Sequence, residues 1–141
     1  MPALNPMPRR HVIMCQRAFV PKIKAGTKLH TFRPERARQI QPGDTLDLRV
    51  WIELPYRSKQ EKVCEVQCIG VTRGEIDSNR RTVYLIENGS WYYRRGPRFI
   101  DDVELIDFAR RDGFTTTHEL FEFFRFTHAG RMTGQLIEWN S

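Results

Sequence analysis

The residues best suited to chemistry in this sequence crowd into one stretch, Phe19 to Arg33, where Lys28, His30, Thr31 and Arg33 follow closely on Gly26. Arg33 is a planar, permanently charged donor suited to a phosphate or to stacking on a base, whereas Lys28 is a compact cation on a flexible stem. In an extended segment Lys28, His30 and Phe32 share one face, and Leu29, Thr31 and Arg33 share the other. Lys28 and Thr31 therefore need a kink or loop to converge. The alternative is purely structural, with Lys28 and Arg33 pairing with Asp44 or Asp112.

Aromatic residues supply a second candidate contact surface. Trp51 falls on the strand face of Asp47 and Arg49, opposite an apolar row, while the run Trp91, Tyr92, Tyr93, Arg94, Arg95 interleaves rings with guanidinium groups. Bases stack on such rings, each worth about 1–3 kcal/mol, and the adjacent charges hold the backbone. The same run would equally serve as a packing element or a dimer contact.

Other site chemistries fail on spacing. His118 and Glu119 begin like a zinc-protease helix, but Glu122 stands where the second histidine belongs. His11, His30, His118 and His128 are scattered among elements, and no cysteine pair has metal-ligand spacing, so neither a metal nor another cofactor is expected. No phosphate-cradling glycine loop, GxSxG elbow or dinucleotide fingerprint occurs. Cys64 and Cys68 read as small core residues on one strand face, which favours a reducing, cytoplasmic setting.

Charge adds a polyanion signal. The net charge of +6 conceals 19 basic against 9 acidic residues over 1–100 and 4 against 8 over 101–141. Between Arg9 and Arg38 nine basic residues meet one acid, Glu35. Such a stripe attracts polyanions through counterion release, or is simply a solvated basic face. No apolar window is long enough to span a bilayer, so no membrane partner is expected.

The elements that must position these groups follow from periodicity and caps. At 141 residues the chain has room for one core and one domain, 9–141, behind a proline-rich, flexible leader at 1–8. His11 to Cys15 reads as a strand, and Pro21 to Gly26 as a short helix with proline in its first turn and glycine past its end. Lys28 to Phe32 is extended, because Pro34 keeps Arg33 out of the helical region. Leu46, Leu48, Val50 and Ile52 alternate with polar positions in the clearest strand, and Val63 to Val71 forms another. Arg80 to Glu87 and Trp91 to Arg94 read as a hairpin turning at Asn88 and Gly89. Two helices follow, one capped at Asp101 or Asp102 and ended by Gly113, the next opened by Thr116 and Glu119. Gln135 to Asn140 closes the chain as a strand. The class is α+β, with about six strands in a partly closed β-barrel and short flanking helices.

Gly26, Lys28, Thr31 and Arg33, followed by Gly43-Asp44, the step Asp112, Gly113, Phe114 and the final strand Leu136 to Trp139, resemble the ASCH domain of the PUA-like superfamily. The likeness covers nearly the whole chain, apart from an inserted hairpin at about 74–97. It implies a PUA-like barrel with a basic cleft, around the G-x-K-x-x-T-x-R strand, that binds RNA or a modified nucleoside. Contacts would come from Lys28, His30, Arg33, Arg36, Trp51, Trp91, Tyr93, Arg94 and Arg95. Some small members of the family resemble amidohydrolases of N4-acetylcytidine that use a lysine, a threonine and a glutamate. By motif position these are Lys28, Thr31 and Asp112, the last a methylene shorter than the family's acid. Cleavage of RNA, which the resemblance also allows, has no two-histidine or metal constellation behind it.

Overall fold

A computed structural model describes residues 7–56, 58–86, 92, 93, 97–128 and 130–140, without the side chain of His128. The chain is a mixed α+β protein. In order it forms β1 (Arg10–Met14), a 3-10 turn (Arg17–Phe19), α1 (Val20–Lys24), β2 (His30–Arg33), β3 (Thr45–Trp51) and β4 (Gln60–Asp77). β5 (Thr82–Leu85), β6 (Arg98–Phe99), α2 (Asp102–Asp112), α3 (Thr117–His128) and β7 (Arg131–Trp139) complete it.

The organising element is β4, longer than its pattern predicts. Its first half pairs antiparallel with β3, from Trp51↔Gln60 to Thr45↔Gln67. Its second half pairs with β7, from Cys68↔Trp139 to Asp77↔Arg131, and a register shift between Cys68 and Gly70 marks the handover. β1 lies parallel to β3, β2 antiparallel to β7, and β5 and β6 extend the sheet beyond β4. Gly74 to Asp77, where the expected insertion begins, pair with both β5 and β7.

The described residues contain seven strands rather than six, and the sheet is not closed into a barrel. No ladder joins β1 to β2. What crosses between them is a side chain, the Arg33 guanidinium donating to the carbonyl of Met14 at the end of β1. β5 takes β6 as a partner through Tyr84↔Phe99 and Leu85↔Arg98, while Trp91 and Arg94, the ends of the second strand expected for the hairpin, lie outside the described residues. The turn expected at Asn88 and Gly89 lies outside the described residues.

Two apolar clusters flank the sheet. One gathers Phe108, Leu120, Phe121 and Phe124 of the helices over Ile76, Leu85 and Leu136. The other packs Ile23 of α1 against Ile13, Leu46, Leu48, Val50 and Cys68. Each fully buried Leu or Ile contributes about 1.5–3 kcal/mol, so the alternation legible in β3 fixes which face turns inward. Phe19 packs against both clusters and joins them. All three cysteines are free, with Cys15 and Cys68 buried.

Both long helices start where their caps predict. The Asp101 carboxylate accepts from the backbone N–H of Glu104 at 2.8 Å, and the Glu104 side chain returns a bond to the Asp101 N–H. Gly113 ends α2 at φ 106°, where a Cβ would also lie 2.7 Å from Phe19 Cδ1. At Gly134 of β7 a Cβ would stand 2.3 Å from the Arg33 carbonyl oxygen, so only glycine lets β2 lie this close. No helix among the described residues is long and apolar enough to cross a membrane.

Candidate functional site

The end of α2 is stitched to the segment between α1 and β2. Leu29 N–H donates to the Arg111 carbonyl at 2.7 Å, and Lys22 Nζ donates to the Gly113 carbonyl at 2.7 Å. Lys28 Nζ donates to the Asp112 carbonyl and, at 2.8 Å, to that of His30. Carbonyls at a helix C-terminus lack intrahelical partners and carry partial negative charge, so two lysines there satisfy both chemistry and dipole. Lys28 itself precedes β2 in a loop, its N–H bonded to the Lys22 carbonyl. That loop is the kink which the alternation required.

Lys28, Thr31 and Asp112 line one cavity of about 320 Å³, together with Arg33 and Trp51. The cavity occupies the seam left open between β1 and β2, with Met14 from the one, Cys15 just beyond it, and Thr31 and Arg33 from the other. Phe19, Phe114, Phe123 and Phe124 add rings to its lining. Trp51 and Tyr56 also line it, their rings 5.3 Å apart and Tyr56 almost fully exposed. Phe123 and Phe124 therefore serve the core and the cavity together.

The electrostatics come from burial. Lys28 is 3% exposed, its ammonium 4.7 Å from the Phe19 ring centre and 5.7 Å from that of Trp139. Loss of hydration holds its pKa below the ordinary lysine value, against the raising influence of Asp112 and Cys15. Arg33 is lowered for the same reason. The Cys15 thiol is pushed up by burial, although Arg33 and Lys28 pull it down. Arg33 Nε donates to Thr31 Oγ1 at 3.4 Å, so the threonine oxygen accepts from a cation.

The carboxylate of Asp112 does not meet Lys28 as an ion pair. It faces His30, whose Nδ1 lies 2.9 Å from Oδ1 in a fully buried pair. In the neutral ring this places the proton on Nδ1 and leaves Nε2, which has no partner among the described residues, as an acceptor. Asp44 likewise serves the fold: it accepts from the N–H groups of Arg9 and Gln41, with His11 Nε2 2.8 Å away.

The remaining expected contacts divide. His30 is fully buried and packs at 4.6 Å on Phe108, which removes it from a ligand-binding surface. Tyr93 is 2% exposed and packs on Phe108 at 5.7 Å, so its ring is a core element and not a stacking platform. Arg36 is half-buried outside the cavity and donates to the Val12 carbonyl at 3.1 Å. Trp91, Arg94 and Arg95 lie outside the described residues. Sequence reasoning missed Phe19, Phe114, Cys15 and Tyr56 as cavity residues. Phe114 stood in the step after Asp112, and Phe19 just ahead of the proline-led helix, but no local pattern marked Cys15 or Tyr56. Among the described residues no three His, Cys, Asp or Glu side chains converge as metal ligands. No protein-family model, curated protein or solved structure matches this chain.

Proposed function

We propose that the chain is an ASCH-type module of the PUA-like class whose seam cavity holds a nucleobase, presented by RNA or as a modified nucleoside. The observation that carries this reading is the cavity's lining: aromatic rings, a fixed guanidinium, a buried amine and a hydroxyl around about 320 Å³. Small-molecule sites of this kind are apolar clefts with a few placed polar groups, and this volume suits one nucleoside. Planar bases find π-faces in Trp51 and Phe19, while Arg33 and Thr31 supply a donor and a hydroxyl. Calorimetric titration with cytidine, uridine, adenosine and guanosine tests it. At least one should bind, and Trp51→Ala should weaken that binding by about 1–3 kcal/mol with an unchanged melting temperature. Failure of all four to bind, or indifference to Trp51→Ala, refutes the reading.

A second reading, an amidohydrolase of N4-acylated cytidine, is favoured by the joint placement of Lys28, Thr31 and Asp112 in that cavity and by the lowered Lys28 pKa. With two carbonyls taking two of its N–H groups, a neutral Lys28 amine keeps its lone pair. It would take the Thr31 proton as Oγ1 attacks the acyl carbonyl. The C–N bond then breaks as Lys28 returns that proton to N4, and water hydrolyses the acyl-threonine. Release of cytidine from N4-acetylcytidine by wild type, lost in Lys28→Arg and Thr31→Val, is the expected result. No release across a broad pH range, with base binding retained, rejects catalysis alone.

A further inference from the structure

The chain leaving β2 doubles back along the open edge of β1, a terminal strand of the sheet path. Guanidinium groups mark its course. Arg33 donates to the Met14 carbonyl beside the seam cavity, and Arg36 donates to the Val12 carbonyl two residues back. At the start of β1, Arg9 and Arg38 line a second cavity of about 310 Å³ with Gln39 and Gln41. A two-residue strand step is about 6.6 Å, and the run from Arg9 to Cys15 spans about 20 Å. The carbonyl bonds of Arg33 and Arg36 fix the cations while leaving further N–H donors on each guanidinium.

Nearby carboxylates are occupied elsewhere. Glu35, the one acid in the returning loop, lies 3.3 Å from Arg73. Asp44 accepts from main-chain N–H groups beneath the second cavity, and Asp47 accepts from Arg10 and Arg49. Among the described residues neither Arg9 nor Arg38 joins an ion pair. The row therefore offers regularly spaced cations and uncharged amide side chains, a pattern that fits successive phosphodiesters better than a single anion.

We infer that the β1 edge is a phosphate track, so that the base in the seam cavity belongs to a single-stranded polynucleotide whose backbone runs past Arg36 to the Arg9–Arg38 cavity. This rests on the nucleobase reading above and extends it to the form of the ligand. The track presents three cation positions, Arg33, Arg36 and the Arg9–Arg38 pair, so affinity should climb with length to about four nucleotides and then level off.

The experiment measures fluorescence anisotropy of labelled oligouridylates of two, four and six nucleotides over a range of salt, with uridine followed by calorimetry. Wild type is compared with Arg9→Gln/Arg38→Gln, whose exposed side chains should leave the melting temperature unchanged. Each phosphate contact on a single strand contributes about 0.7 to the salt slope, which at about 0.1 M salt is about fivefold in affinity. The double variant should therefore lose about 25-fold on the hexamer and about 1.4 in slope, with uridine binding unaltered. Unchanged hexamer affinity and slope while uridine still binds would overturn the track and leave the base cavity standing. Loss on the hexamer with no uridine binding to either protein would keep the track and remove the base cavity. Hexa-aspartate binding as tightly as hexauridylate would overturn the track as a nucleic-acid site.

Discussion

Replacing Lys28 by methionine separates two opposed effects of burying an amine. The ammonium serves two carbonyls, those of His30 and Asp112, and leaving both unpaired costs about 1–3 kcal/mol each. Against this, methionine removes the cost of dehydrating a cation that is 3% exposed. The neutral amine escapes that cost and still has two N–H groups for the two carbonyls. The stability of wild type relative to Lys28→Met must therefore depend on pH. Between the lowered folded pKa and the ordinary value of 10.5, the unfolded chain holds a proton that the folded chain has lost. Wild-type stability consequently rises with pH through that interval, by at most about 1.4 kcal/mol per pH unit. The contribution is complete above 10.5 and is lost as pH falls through the folded value. Cys15, whose thiol is raised by burial, acts in the opposite sense but is present in both proteins and largely subtracts. Urea unfolding of both proteins at pH 7, 8, 9 and 10 (about one unit per step) supplies the difference curve. A flat curve, or one that falls with pH, would refute the assignment of Lys28 as a dehydrated lysine.

Two further substitutions test the frame around the cavity. Gly113→Ala should cost at least about 1–2 kcal/mol for the left-handed backbone alone, and the added methyl, 2.7 Å from Phe19 Cδ1 and 3.1 Å from Lys28 Cδ, should weaken ligand binding as well. Phe108→Ala should cost about 3–5 kcal/mol in urea unfolding, since the ring is fully buried between His30 and Tyr93. A loss below about 1 kcal/mol would mean that the ring is not packed as described.

Much of the frame was legible because its signals are local. The β3 alternation, the N-cap at Asp101 or Asp102, the capping-box spacing of Thr116 and Glu119 and the glycine stop at Gly113 each depend on residues a few positions apart. The part of β4 beyond Val71 was not, because Arg73, Gly74 and Glu75 carry no apolar alternation. In the fold Arg73 meets Glu35 and Arg131 meets Glu75 on the exposed face, while Gly74 admits Phe32 and the Tyr84 carbonyl. β6 is two residues long and carries no pattern. Lys28, Thr31 and Asp112 were reached through the resemblance, and their meeting in one cavity depends on the loop after α1. The pairing of His30 with Asp112 had no sequence signal at all, since 82 positions separate them. Tyr93 looked like a stacking ring from its basic neighbours, and burial depends on where β6 and α2 carry the chain.

The length of β4 has a consequence for how the molecule comes apart. One strand carries the ladder of β3 at one end and that of β7 at the other, so each apolar cluster rests on the same backbone. Melting either cluster strips that strand of half its partners. A slip of one residue on the β3 side would turn the inward side chains of that half outward, and the register shift between Cys68 and Gly70 offers the place where such a slip would have to be absorbed. With Phe19 packed into both clusters, the two halves are thermodynamically one: partial opening exposes apolar surface on both sides, and the chain should lose its structure as a single cooperative unit.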